Sequence, residues 1–563
     1  MSTAAVEERV DELLARMTLE EKVGLMFHAP IFMNPDGTLL DGTEERIAGR
    51  LLNHFNIYYA PGPRRHAEWH NRLQDLAKTT RLGIPVTISS DPRHSFAENF
   101  AASWSAVDFS QWPEPIGFGA LGDVDAVREF GDIARREYRA VGIHVALHPM
   151  ADLATEPRWA RIMHTFGEDG ELAARLVGAY IRGFQGDELG PQSVACMTKH
   201  FPGGGPQLDG EDPHFAYGKD QVYPGGMFEY HMRVFEAAFE AGTAQIMPYY
   251  GRPVGTPFEE VGFGFNREVV TGLLRERYDF DGVVCTDWGL VTDALLPDGS
   301  VFAAKCWGVE ELGAEERLVK IVEAGCDQLG GEELPEMLVE LVRAGRLAEE
   351  RINESARRLL RDKFRLGLFD DPYVDPDEAE RTCGSPPFRA KGERAQRRSA
   401  VVISNDGVLP LREGVRVYAD GLVYEGDAES PGEADVAIVQ RNAPFEPRTD
   451  GMVESLFHAG DLDFKEPELS TLLELARTVP LVLVLHLERP AVIPELLEAC
   501  AAVVAVFGAA DEAVLDVLFG RTRPEGRLPF ELPSSMDAVR AQLPDVPGDS
   551  PDPLFRLGHG LDL

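Results

Sequence analysis

Short apolar runs without strict alternation recur through the first two thirds of the chain, each followed by a longer stretch of helical periodicity. Eight of them read as strands, over 28–33, 56–60, 86–91, 144–150, 194–200, 244–250, 283–289 and 326–331. Runs that are apolar throughout suit parallel strands covered on both faces. Segments such as DAVREFGDIARREYRAVG and ELAARLVGAYIRGFQG supply the intervening helices, and Thr18 with Glu21 has the spacing of a capping box that opens an early one. Eight such units over residues 1–369 predict an α/β fold of the (β/α)8 TIM-like barrel type, least regular in its first three units.

The pattern then changes. Residues 370–398 are rich in Pro, Gly and charge and read as a linker. Beyond them, strands over 400–405, 415–420, 435–442, 481–487 and 502–508 alternate with helices. That predicts an open α/β/α sandwich over 399–563.

Composition narrows the function classes. Asp and Glu number 94 against 55 Lys and Arg, a net charge of −39. Such a surface repels nucleic acid and anionic lipid, so neither is expected as a partner. The six cysteines are scattered without a CxxC pair, which argues against a disulfide framework and a structural zinc. No apolar run is long enough to span a bilayer, and the acidic, amphipathic N-terminal segment lacks the features of a signal peptide. The expectation is a soluble, cytoplasmic protein. The excess of acid is compatible with a homodimer.

In a barrel the chemistry sits at the C-terminal ends of the strands. There the sequence places Asp91, Arg158 (in a loop after the fourth strand), Lys199 with His200, Tyr250, and Asp287 with Trp288. Carboxylates and a lysine suit vicinal hydroxyls, and an indole suits the C–H face of a sugar ring, so this cup predicts a polyhydroxylated ligand. No metal and no cofactor are expected. His66 and His70 have an i, i+4 spacing but no intervening Glu and no third ligand. The glycines of KHFPGGGPQLDG lack the Gly-Lys-Ser/Thr ending of a phosphate loop, and no Gly-x-Ser-x-Gly elbow accompanies an Asp and a His.

The motifs MTLEEKVGLM, EPRWARIMHTFGED, KHFPGGG, IMPYY, GVVCTDWG, AGCDQLGG, SNDGVLPL, PEGRLPFELP and GHGL, in this order, make the chain resemble glycoside hydrolase family 3, of the two-domain β-glucosidase and exo-β-glucanase kind. The resemblance implies a retaining, exo-acting β-glycosidase on short oligosaccharides or small glycosides, with Asp287 of CTDWG as nucleophile. It implies that Asp91, Arg158, Lys199, His200, Tyr250 and Trp288 grip the non-reducing sugar, and that the Lys199–His200 peptide is cis. The acid/base is implied on a second-domain loop, where IVQRNAPFEPRTDG points to Glu446, with Glu454 the nearest competitor. A second branch of the family, the N-acetylglucosaminidases, uses an Asp-His dyad, for which Asp212 and His214 are the counterparts; that branch's Gly-His-Gly is replaced here by Gly203-Gly204-Gly205. A β-xylosidase is a further alternative. The Gly-Gly-Trp segment that some relatives place near the leaving group has no counterpart between residues 405 and 435.

Overall fold

The structure is a computed structural model that describes residues 3–60, 62–99, 101–296, 299–424, 428–448 and 451–563. Eight strands form one parallel sheet: β1 (Phe27–Ile31), β2 (His54–Ile57), β3 (Thr87–Ser90), β4 (Ile143–Ala146), β5 (Ala195–Phe201), β6 (Gln245–Pro248), β7 (Val283–Val284) and β8 (Leu329–Gly330). β8 pairs with β1 through Phe27↔Leu329, and each later strand pairs with its predecessor. The remaining seam, between β7 and β8, is bridged by Cys285↔Gln328, with Thr286 N–H donating to Gln328 O at 2.9 Å. The ring is thereby complete. All residues of β2 to β7 are buried, which is why their sequence does not alternate.

The unit between β1 and β2 is short. Its helical element is the single turn Glu45–Gly49, where later units carry full helices such as Val124–Ala140 and Gly170–Gln185. At the N-terminal end of the barrel Lys363 Nζ donates to Asn53 O (3.1 Å), Pro85 O (2.8 Å) and Thr87 Oγ1 (2.7 Å), closing the floor. Higher up, the interior turns polar. His28 meets Ser89 Oγ at 2.7 Å and Gln328 Oε1 at 3.1 Å, and Ser89 Oγ in turn meets Asn56 Oδ1 at 3.3 Å. This column leads from the floor to the mouth.

The second sheet comprises β9 (Val401–Asn405), β10 (Val417–Asp420), β11 (Val436–Asn442), β12 (Leu481–His486) and β13 (Ala502–Val506), in the order β9-β13-β12-β11-β10 with only β9 antiparallel to its neighbour. Val482, Val484 and Val504 pack with the helix Asp511–Leu518 on one face. Leu481, Leu483 and Ala505 on the other join Leu472 and Leu496 in a core continuous with the barrel's. That two-sided cover is the α/β/α sandwich expected from the sequence.

Residues 370–398, expected as a linker, carry two helices, Pro376–Thr382 and Pro386–Ser399. The prolines that suggested irregular chain stand at helix starts, where the missing N–H costs nothing. The second helix is tied to both domains: Gln396 donates to Gln111 O at 2.9 Å and accepts from Ala510 N–H at 3.0 Å.

Candidate active site

Three polar groupings meet where the barrel strands end. Asp91, just past β3, receives Lys199 Nζ on Oδ1 at 3.0 Å and Asn56 Nδ2 on Oδ2 at 3.2 Å. Both carboxylate oxygens are engaged, and the pair is buried.

His200 follows Lys199 on β5, and the peptide between them is cis. Its Nδ1 lies 2.8 Å from Asp152 Oδ2, and Arg161 Nη1 approaches its Nε2 at 3.2 Å. A guanidinium can only donate, so Nε2 accepts and Nδ1 carries the proton that goes to Asp152. Burial drives the imidazole well below its ordinary value, which keeps it neutral. Asp152 also accepts from the backbone N–H groups of His200 and Gly204, yet its burial pushes it up to about 6.

Asp287 stands three residues beyond β7 and is 6% exposed. Its Oδ1 accepts Trp288 N–H at 2.8 Å, while Oδ2 is buried without a hydrogen-bond partner, 3.7 Å from His200 Nε2. Tyr250 braces this turn, donating to Trp288 O at 3.0 Å and accepting Trp288 N–H at 3.0 Å. Burial and the Asp287 charge push the phenol well above its ordinary value, so it remains a donor. The Trp288 indole packs 5.3 Å from the His28 ring. Asp91, Lys199, His200, Tyr250, Asp287 and Trp288 thus stand together where the strands end.

Arg158 does not join them, and this corrects the sequence reading. Its fork is taken by Glu156, with Nε at 2.9 Å and Nη2 at 3.0 Å, and Asp209 lies 3.6 Å away. The guanidinium at the cup is Arg161, fully buried in the field of Asp212, Asp287 and Asp152. Glu156 is itself buried and captures the nearer arginine, leaving the later one for the cup.

The second domain reaches this mouth through the segment after β11. Glu446 N–H donates to Ala459 O at 2.9 Å, folding the segment into a loop. Gly460, at φ 84°, lies so close beneath Glu446 that an added Cβ would meet its side chain at 2.5–2.7 Å. The loop seats on two barrel loops, those after β3 and β5. Arg448 Nη2 donates to Glu211 at 2.7 Å, Asn99 Nδ2 donates to Leu456 O at 3.1 Å, and the Phe457 ring lies 4.9 Å from His214. His214 in turn lies 4.7 Å from the Tyr250 ring, so a chain of two rings joins Phe457 to the Asp287 turn. Arg489 staples the assembly, donating to Pro444 O (2.6 Å), Gly460 O (3.1 Å) and Arg158 O (2.8 Å).

Two domain descriptions match this chain: "Glycosyl hydrolase family 3 N terminal domain" over residues 60–361 and "Glycosyl hydrolase family 3 C-terminal domain" over residues 423–563. The chain belongs to glycoside hydrolase family 3. Among its family relatives, the "Probable beta-glucosidase C" of Aspergillus flavus is 50% identical over 99% of this chain and 90% of its own. The "Periplasmic beta-glucosidase/beta-xylosidase" of Dickeya chrysanthemi is 42% identical over 98% of this chain and 90% of its own. Among solved structures, the exo-1,3/1,4-beta-glucanase of a Pseudoalteromonas species shares the fold with a TM-score of 0.81 at 24% identity, over 99% of this chain and 74% of that one.

Asp212 and His214 are joined by a hydrogen bond. His214 Nδ1 lies 2.6 Å from Asp212 Oδ1, and Asp212 Oδ2 accepts Trp159 Nε1 at 2.9 Å and the Tyr249 hydroxyl at 3.3 Å. Burial works to raise the Asp212 carboxyl, but His214 and Arg161 outweigh it and hold it at about 2. Glu454, the competitor to Glu446, opens a single turn, Glu454–Leu456, beside Tyr217. Among the described residues no group of His, Cys, Asp and Glu is arranged to hold a metal, and no helix is long and apolar enough to cross a membrane. His66 and His70 are buried core residues of the helix Pro63–Thr79.

Arg161, Asp152 and Arg489 were missed from the sequence. Arg161 shares the PRWAR motif with Arg158, so the motif offered two arginines and no means of choosing. Asp152 sits two residues past Met150, at the end of a predicted strand, and the strand-end rule extended by a turn would have found it. Arg489 has no sequence signal, because its acceptors come from three distant segments.

Proposed function

We propose that this chain is a retaining, exo-acting β-glucosidase that removes the terminal non-reducing sugar from short oligosaccharides or small glycosides. The observation that carries the reading is the Asp287 carboxylate: buried, held by Oδ1 on its own turn, with Oδ2 unpartnered and facing the hydroxyl-binding groups of the cup. Its relatives' names support the same reaction.

In this mechanism Asp91, Lys199, His200 and Arg161 bind the sugar's hydroxyls and fix its anomeric carbon before Asp287. Oδ2 attacks that carbon, the glycosidic bond breaks, and a covalent glycosyl-enzyme forms. Glu446 gives its proton to the departing oxygen, then takes one from the water that releases the sugar. A retaining pair operates at a carboxyl separation of ~5–5.5 Å.

A 2-deoxy-2-fluoro-β-glucoside with a good leaving group is the direct test. Mass spectrometry of the digested enzyme should find the fluoroglucosyl group on the peptide containing Asp287, and Asp287→Asn should be inactive and unlabelled. A label elsewhere, or a nitrophenyl panel in which the β-xyloside or the N-acetyl-β-glucosaminide outpaces the β-glucoside, overturns the assignment.

A further inference from the structure

The loop after β7 carries a lysine that the mechanism leaves unused. Lys305 is 2% exposed, and its backbone N–H is bonded to Gly289 O at 2.9 Å, next to the Asp287–Trp288 turn. A Cβ placed on Gly289 would lie 3.8 Å from Nζ, which puts the ammonium beside that turn. Among the described residues Nζ has no hydrogen-bond acceptor and no ion-pair partner; its close neighbour is the Phe302 ring, 3.1 Å from the centroid. The carboxylates whose charge reaches it are Asp287, Glu332 and Asp293. The latter two are occupied by the loop's own backbone: Glu332 accepts from Val291 N–H (2.7 Å) and Thr292 N–H (3.0 Å), and Asp293 accepts from Ala304 N–H (2.8 Å).

A cation–π contact compensates only part of the cost of burying an ammonium. A buried lysine with three donors and no acceptor is therefore a site waiting for oxygen. Its counterpart is the unpartnered Oδ2 of Asp287. Phe302 also fixes the side of the cup, because it packs with Phe215, Val453 and Phe457, where the second-domain loop covers the mouth. That is the side from which a leaving group departs towards Glu446.

We propose that Lys305 is a specificity-determining residue of the leaving-group subsite, donating hydrogen bonds to hydroxyl oxygens of a neutral sugar there. The inference rests on the β-glucosidase reading. A sugar is favoured over an alkyl or aryl group because only the sugar brings acceptors. A neutral one is favoured over an acidic one because three carboxylates already act on Nζ within a chain of net charge −39. Burial also holds the ammonium down at about 7, as expected for a lysine without a fixed partner.

The test compares cellobiose and laminaribiose, whose leaving group is glucose, with β-glucosyl fluoride, whose leaving group has no hydroxyls. Lys305→Met should lower kcat/KM for the disaccharides by roughly ten- to hundredfold, the range for losing a hydrogen bond to a charged donor. The loss on the fluoride should be at least tenfold smaller, and the glucose concentration giving half-maximal transfer from the fluoride should rise. Lys305→Gln, which keeps a shorter N–H donor, should fall between wild type and Met, and it carries the comparison if the Met variant does not fold. Equal losses on fluoride and disaccharide in the folded variants overturn the assignment, since a lysine that only braces the loop acts on both alike. Wild-type inactivity on β-glucosyl fluoride would instead overturn the β-glucosidase reading itself.

Discussion

Replacing Arg489 by Met separates the docking of the second-domain loop from the chemistry of the barrel. The arginine is fully buried, and its donors reach the carbonyls of Arg158, Pro444, Gly460 and, at 3.4 Å, Ala459. Methionine keeps much of the stem and removes every donor. Ala459 O retains the Glu446 N–H, so three carbonyls lose a partner. At ~1 kcal/mol for each bond the loss is roughly 3 kcal/mol. Burial already depresses the guanidinium to about 10, so removing its charge returns part of that, and a net of ~1–3 kcal/mol remains. All three carbonyls lie on the loop or the barrel rim beneath it, so the penalty falls on loop docking and leaves both sheets intact. A shift of ~1–3 kcal/mol in docking is about five- to hundredfold in the docked population wherever docking is that marginal. Activity should therefore fall by up to ~100-fold on cellobiose, which needs the acid, and by much less on 2,4-dinitrophenyl β-glucoside, which does not. Steady-state kinetics on the two substrates, with circular dichroism to verify folding, decide it. Equal loss on both would mean that Arg489 supports the barrel site and not the acid/base loop.

Other perturbations test neighbouring parts of the site. Glu446→Ala should lose ~10²–10⁴-fold on poor leaving groups and far less on the dinitrophenyl glucoside, with azide restoring turnover; if His214→Ala or Glu454→Ala shows that pattern instead, the acid/base assignment moves there. Arg161→Lys should cost ~10–100-fold in kcat/KM by replacing the guanidinium on His200 with a shorter ammonium that lacks the planar fork, whereas Arg158→Lys, whose fork serves Glu156, should cost less; the reverse order in the same assay restores Arg158 to the cup. Glu168 accepts from Glu531 N–H and Gly548 N–H at the domain junction, and burial pushes it to about 7. Because its folded value lies above its unfolded one, the native state binds more protons between about pH 4.5 and 7, and this carboxyl's contribution falls as pH rises through that window by ~3 kcal/mol. Urea midpoints across pH 4.5–8 should then fall more steeply for wild type than for Glu168→Gln, and parallel curves would refute the shift.

The barrel was readable because parallel strands buried on both faces leave uninterrupted apolar runs, and because such strands end in polar residues only at the mouth. Asp91, Lys199, His200 and Asp287 are all of that kind. What the sequence did not carry was the path of the chain between elements. Arg158 and Arg161 differ only in which carboxylate reaches them first, and that depends on Glu156 lying buried nearby. Residues 370–398 misled because Pro marks helix starts as well as loops, as Pro376 and Pro386 do here. Arg489 and Lys305 are single cations whose partners, or lack of them, exist only after folding.

Polar satisfaction offers a second route to the proposed nucleophile, independent of the CTDWG motif. The cup holds four buried carboxylates, Asp91, Asp152, Asp212 and Asp287. Asp91 has Lys199 and Asn56, Asp152 has His200 and two backbone N–H groups, and Asp212 has His214, Trp159 and Tyr249. Each of those has both oxygens engaged, which lowers its nucleophilicity and fixes it as a support for neighbouring groups. Asp287 alone among the four keeps a buried oxygen without a donor. Such an atom is costly to a folded protein unless a ligand completes it. On the proposed reading the completing partner is an electron-poor carbon; His200 Nε2, 3.7 Å away, is held as an acceptor by Arg161 and has no proton to give. Substituting Arg161 should therefore do more than loosen the sugar: by freeing His200 Nε2 to carry a proton, it would let the imidazole engage Oδ2 and blunt the attacking carboxylate.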